Sequence, residues 1–338
     1  MIRVTVSPTD PDDGALLPAA ESLRQGGLVA FPTETVYGLG ACALDVVAVR
    51  RIFEAKGRPA TNPLIVHVAM LEQARALAAS WPPLAERLAR ALWPGPLTLV
   101  VPRGESVPRE VTAGLDAVGL RVPAHPVALA LLRLAAVPVA APSANRYTRL
   151  SPTTADHVAL GLADHVDVLV DAGPCVVGIE STVLDLTGAV PRVLRPGGLS
   201  VARIREIVGD VEVLAGAGAE GELPSPGLAR RHYAPRARVV VLEASALAGA
   251  AVTGAAVISR GPIEGLPPGV HSVVLPPGAE GFGARLYATL HRLDAAGVPL
   301  VLVEAPPPGD DWLAVQDRLC RAAEGTAGAS GHGTPTPE

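Results

Sequence analysis

The apolar runs of this chain are short, and polar residues punctuate nearly every one. Leu28 to Phe31 runs straight into Pro32-Thr33-Glu34-Thr35, and Pro138 to Ala141 into Pro142-Ser143-Ala144-Asn145. Leu64 to Val68 follows Lys56-Gly57-Arg58 and Asn62, and Glu180-Ser181-Thr182 opens a run that ends at Leu186. Such brief β-branched and aliphatic stretches read as buried strands. Further strands are expected at Ile2–Val6, Leu97–Val101, Gly119–Val122, Val168–Asp171 and Arg192–Leu194. Segments with helical spacing lie between them: Asp12–Gln25, Asp45–Ala55, Leu71–Ala79, Pro83–Leu92, His125–Ala135, Thr153–Ala163 with Ser151 or Thr153 as cap, and Ser200–Val208. Strands and helices intermix without strict alternation. The expected fold is therefore α/β, with one twisted, mixed open sheet flanked by helices.

A second unit follows a break. Residues 215–236 read AGAGAEGELPSPGLARRHYAPR, with no apolar period and the glycine and proline content of a linker. After it, Arg238–Leu242, Ala256–Ser259, Ser272–Leu275 and Leu300–Val303 read as strands alternating with helices at Ala244–Ala251, Glu280–Ala296 and Asp311–Arg321. That pattern predicts a smaller, Rossmann-like parallel α/β domain. The expected organisation is a first domain over 1–212, a linker over 213–236, a small domain over 237–321 and a disordered Gly/Thr/Pro-rich tail over 322–338. At 338 residues both domains can bury a core, and with 49% hydrophobic but only 3% aromatic residues that core must be aliphatic. A net charge of −5 argues against a nucleic-acid coat or a membrane-surface protein. Cys42, Cys175 and Cys320 are far apart and form no CxxC, so neither a disulfide framework nor a thiolate zinc site is indicated. The N-terminus lacks a signal-peptide pattern, and Arg133, Pro138 and Pro142 interrupt the longest apolar stretch; the expectation is a soluble cytoplasmic protein.

Lys56 is the only lysine among 28 basic residues, the other 27 being arginine. Arginine is a wide planar fork and lysine a compact point charge, so a crowded anion site could require the latter where the rest of the chain does not. Arginine-biased composition alone would also leave one lysine. Four polar clusters at strand ends favour the site: Thr33-Glu34-Thr35, Lys56-Gly57-Arg58 with Asn62, Ser143-Ala144-Asn145 and Glu180-Ser181-Thr182. Each alone suits a turn or cap. Together, with two cations and many hydroxyl and amide donors, they suit a phosphate chain. Neither a GxxxxGK[ST] loop nor a dinucleotide GxGxxG occurs, and there is no GxSxG or HExxH. His157 and His165 with Asp164 and Asp167 are read as a solvated helix face rather than a metal site. Arg230, Arg231, His232, Arg236 and Arg238 surround Tyr233 in the linker, as in a solvated hinge or in a lid that closes over a bound phosphate.

Taken in order, PTETVYGLG, KGRP with NPL, APSAN and GIESTV resemble the threonylcarbamoyl-AMP synthase family, the YrdC-like domain, over about residues 14 to 210. SPGLARRHYAP followed by a small α/β domain resembles its longer two-domain form. The resemblance implies condensation of L-threonine, bicarbonate or carbon dioxide and ATP into threonylcarbamoyl-AMP and pyrophosphate, with Mg²⁺ on the ATP. A separate transferase complex then carries the group to the tRNA adenosine beside the anticodon, and a weak direct contact with tRNA is compatible with this. Carried over by position, Lys56, Arg58, Ser143 and Asn145 form the catalytic quartet. Asn62, Thr112, Ser151, Arg195, His232 and Tyr233 join them at ATP, and Thr33, Thr35, His67, Arg121 and Ser181 hold threonine, with Arg121 on its carboxylate. No protein metal ligand is implied. Two rivals are a carbamoyl-adenylate module like that of hydrogenase maturation, which would bring cysteine-paired zinc segments this chain lacks, and a non-catalytic RNA-binding protein.

Overall fold

The structure is a computed structural model that describes residues 1–214 and 233–324. Among these residues eleven strands form one sheet. Its order is β1 (Ile2–Thr5), β8 (Val168–Asp171), β2 (Val29–Phe31), β3 (Gly38–Cys42), β7 (Val139–Ala140), β4 (Ile65–His67), β6 (Ala117–Arg121), β5 (Leu97–Pro102), β9 (Thr182–Asp185), β10 (Arg192–Arg195) and β11 (Glu212–Val213). Parallel pairs such as β4 with β6 alternate with antiparallel ones such as β2 with β3, so the sheet is mixed as expected. A second sheet, β12 (Arg238–Leu242), β15 (Leu300–Glu304), β13 (Ala256–Ser259) and β14 (His271–Val274), is parallel throughout.

Local chemistry sets most helix ends. Asp45 accepts from the amides of Val47 and Ala48 and opens α2 (Val46–Lys56); Gly57 closes it in the left-handed region at φ 61°. Asp12 and Ser200 likewise cap α1 (Asp13–Arg24) and α7 (Val201–Val208). The helix expected over 153–163 is α6 (Ala155–Leu162), and Thr154 caps it rather than Ser151 or Thr153. Strand β3 is not foreseen from the sequence, because Gly38 and Gly40 erase the apolar alternation. Their place in the sheet is steric: a Cβ on Gly40 would lie 2.8 Å from the Phe31 ring and from Val139. The last helix, α10 (Leu313–Glu324), runs past the expected end at Arg321.

The core is aliphatic, with Leu, Val and Ala filling both faces of the large sheet. The core of the small domain is different. Phe282, Leu286, Tyr287 and Leu290 of α9 (Ala279–Ala295) pack in one cluster with Val36, Leu150, Ile179 and Tyr233, residues that border the polar strand ends of the first sheet. The two units therefore share a core instead of merely touching. Gly178 is a point of close approach: its φ is 73°, and a Cβ there would sit 2.5 Å from the carbonyl oxygen of Ala284 on α9. We expect Gly178→Ala to destabilise the protein by about 1–3 kcal/mol through overpacking and backbone strain, read as a lowered melting temperature; an unchanged melt would mean the two units do not pack this closely.

Candidate functional site

The cleft lies where the polar strand ends meet. Its wall includes Thr33 and Thr35 from the loop between β2 and β3, Arg58 from the turn after α2, and His67 and Arg121 from the ends of β4 and β6. Ser143 follows β7, Ser181 precedes β9, Arg195 ends β10, and Tyr233 comes from the far side of the undescribed segment. His67 and Arg121 are register partners in parallel strands, which puts their side chains on one face. Nine of the residues predicted from the sequence thus line one cleft.

Lys56, Asn62, Asn145 and Ser151 stand behind it. Lys56 is buried, and its ammonium donates to the backbone carbonyls of Ser143 and Asn145, each at 2.6 Å. The lone lysine ties the end of α2 to the loop after β7. Asn62 accepts from Arg58 Nη2 at 2.6 Å, while Arg58 also donates to the carbonyls of Asn62 and Pro63. Asn145 donates to the carbonyls of Arg146 and Arg149. Ser151 donates to Glu180. Thr112 lies outside the lining; its hydroxyl donates to Leu115 O at 2.7 Å, the role of a turn residue. His232 falls outside the described residues, as do Arg230 and Arg231. Arg236 pairs with Asp294 on α9. His157 is not on a free solvated face: it stacks on His291 of α9 with ring centres 3.8 Å apart. No group of three or more His, Cys, Asp or Glu side chains suited to a metal occurs among the described residues.

Two buried carboxylates, to which the sequence assigns no role, organise the cleft. Glu34 pairs with Arg121 at 2.7 Å, and Arg121 also donates to Thr35 Oγ1 and to the carbonyl of Gly95. Thr33 and Thr35 share a hydroxyl contact of 2.7 Å. On the other side, Glu180 takes hydrogen bonds from Ser151, from Tyr287 of α9 and from Arg318 of α10. Neither Tyr287 nor Arg318 is legible as a site residue, because each meets Glu180 from more than a hundred positions away along the chain. Arg195 reaches the carbonyl of Ser181 at 2.8 Å and the Tyr233 hydroxyl at 3.4 Å.

Glu34 Oε2, Asn62 Nδ2, His67 Nδ1 and Asn145 Oδ1, in or behind this cleft, are buried and have no hydrogen-bond partner among the described residues. Such atoms cost free energy in an empty fold and are expected where a polar ligand completes the set. Burial, with Arg58 nearby, pushes the Lys56 ammonium well below its ordinary range, and burial brings Arg58 down to about 10. Burial and the Arg121 charge lower His67 to about 3, so its imidazole is neutral at physiological pH.

Fold and site together define an α/β protein whose cleft gathers cationic side chains and neutral hydrogen-bond donors. The Sua5/YciO/YrdC profile, described as telomere recombination, matches residues 21–197, and the threonylcarbamoyl-AMP synthase C-terminal domain matches 199–324. The threonylcarbamoyl-AMP synthase of Pyrococcus abyssi is 44% identical over 316 residues, covering 90% of this chain and 93% of its own. That of Bacillus subtilis is 40% identical over 326 residues, covering 93% and 94%. The crystal structure of P. abyssi Sua5 complexed with L-threonine superposes with a TM-score of 0.91 at 41% identity, covering 96% of this chain and 98% of that one. The chain belongs to the threonylcarbamoyl-AMP synthase family, in its two-domain form.

The depressed His67 has a consequence for stability. The unfolded chain binds a proton there below about pH 6.5 and the folded one does not until about 3, so this residue contributes nothing above pH 6.5 and weakens the fold as pH falls. The penalty is about 2 kcal/mol at pH 5. His67→Gln should therefore lose less melting temperature between pH 7 and pH 5 than the parent; equal losses would place the acid sensitivity elsewhere.

Proposed function

We propose that this enzyme condenses L-threonine, bicarbonate or carbon dioxide, and ATP into L-threonylcarbamoyl-AMP and pyrophosphate, for threonylcarbamoyladenosine synthesis in tRNA. The observation that carries the reading is a cleft lined by Thr33, Thr35, Arg58, His67, Arg121, Ser143, Ser181 and Arg195, backed by buried polar atoms that have no hydrogen-bond partner among the described residues. They fall into two halves that suit two different substrates. The half with Thr33, Thr35, His67, Arg121 and Ser181 suits an amino acid. Arg121 is held on one side by Glu34 and Gly95, which fixes its fork for a carboxylate. A neutral His67 can hydrogen-bond an amine or hydroxyl without repelling an ammonium. The half with Lys56, Arg58, Asn62, Ser143, Asn145, Ser151, Arg195 and Tyr233 suits a nucleotide triphosphate.

The chemistry needs placement and charge more than a covalent nucleophile. The threonine amine adds to carbon dioxide and loses a proton to give a carbamate. A carbamate oxygen attacks the α-phosphorus, and the bond to the bridging oxygen breaks as pyrophosphate leaves. Arg58 and Arg195 face the charge that develops there, and Lys56 fixes the Ser143–Asn145 loop against them. ATP enters as its Mg²⁺ complex, with the ion on phosphate oxygens and water. The product then serves a separate transferase acting on tRNA.

Pyrophosphate release from Mg·ATP should require both threonine and bicarbonate; release with neither, or no release beside salt-sensitive tRNA binding, would overturn the synthase reading. Lys56→Arg should cost about 10²-fold in kcat, since a planar fork cannot make the two short contacts of the buried ammonium and one misplaced donor is worth about 3 kcal/mol of barrier. Near-normal turnover in that variant would remove Lys56 from the machinery.

A further inference from the structure

We infer that Arg318, on the last helix of the small domain, is a positioning residue of the active site, so that the C-terminal domain completes the nucleotide half of the cleft. The inference rests on the synthase reading above. Arg318 is fully buried, and its guanidinium makes three contacts in three directions. Nε donates to Glu180 at 2.7 Å, Nη2 to the carbonyl of Pro196 at 3.1 Å, and the guanidinium carbon lies 4.9 Å from the centre of the Tyr233 ring. Its fourth partner, Asp317, also holds Arg321, which leaves Glu180 as the carboxylate that ties Arg318 to the catalytic domain.

Each contact leads to a cleft residue. Glu180 receives the Ser151 hydroxyl, so the carboxylate stays where it holds Ser151 only while Arg318 balances its charge. Pro196 follows Arg195 directly, so the carbonyl contact fixes the turn after β10. Tyr233 is buried in the left-handed region at φ 59°, a conformation uncommon for a bulky residue, and it needs its surroundings to hold it. The Arg318 face and the Tyr287 ring, 5.9 Å away, supply that support from α10 and α9. An arginine is required here, because a lysine could balance Glu180 but could not also span to Pro196 and sit over Tyr233. The charged and titratable groups facing Glu180 are Arg318, Arg195, Lys56, Tyr233 and Tyr287. Arg318 and Arg195 hold its carboxyl below the ordinary range against the effect of burial.

The test compares Arg318→Met, Arg318→Lys and Arg205→Ala in the full chain. Arg205 pairs with Asp310 across the same two units but at the surface, away from the cleft, so its loss loosens docking alone. All three are assayed for pyrophosphate release at varied ATP, threonine and pH, with melting curves beside them. The parent's dependence on threonine and bicarbonate tests the synthase reading separately. We expect Arg318→Met to lose about 10- to 100-fold in kcat/KM for ATP while the KM for threonine changes little. The acid limb of its pH profile should move up, as Glu180 loses its partner. Arg318→Lys, which keeps the charge and so the fold, should recover the acid limb but still lose several-fold for ATP. Arg205→Ala should match the parent. Parental ATP efficiency in Arg318→Lys, or losses in Arg205→Ala as large as those in the Arg318 variants, would overturn the inference even if Arg318→Met fails to fold.

Discussion

Everything at the cleft depends on how Glu180 is satisfied. A carboxylate at 5% exposure, between a strand end and a foreign helix, is tolerable only with its charge balanced and its oxygens bonded. The balance comes from Arg318, with Arg195 close by; the bonds come from Ser151, Tyr287 and Arg318. Those partners derive from the large sheet, from α9 and from α10. One buried charge thus fixes the relative placement of two domains, and it does so at the rim of the reaction site.

The opposite wall repeats the device on a smaller scale. Glu34 and Arg121 form a second buried pair, at 8% and 4% side-chain exposure, supported by Thr35 and the Gly95 carbonyl. Here the pair is incomplete, since Glu34 Oε2 has no hydrogen-bond partner among the described residues. One buried side-chain atom each of Asn62, His67 and Asn145 likewise has none. A wall made rigid by charged hydrogen bonds, yet left with open polar atoms, is preorganised for a polar ligand. The aliphatic core beneath supplies rigidity without competing polar groups.

The small domain gains a meaning from this arrangement. Its parallel sheet is peripheral, but Phe282 and Tyr287 of α9, with Val315 and Leu319 of α10, pack on Val36, Leu150, Ile179 and Tyr233 at the cleft. Aromatic residues are scarce in this chain, at 3%, and several of them meet here. Large rings fill an interdomain seam efficiently, and the Tyr hydroxyls reach the polar atoms behind it.

Short-range chemistry made much of this readable from sequence. Most helix spans and the polar strand ends follow from residues a few positions apart. So do the mixed sheet, the parallel second sheet and the residues lining the cleft, and the order of the four motifs carries the family. Where the sequence misled, the cause was contact across the chain. Glycines hid β3 because they are there for the Phe31 ring; Ser151 resembled a cap but serves Glu180; His157 resembled a surface residue but stacks on His291. The lone lysine stood out by count, yet its partners are carbonyls 87 and 89 residues away. The sequence by itself determined which residues could bind and react, because type and local spacing set that chemistry. Only the tertiary structure decided which charges balance which, because a buried carboxylate and its arginine need share nothing along the chain, only a place out of water.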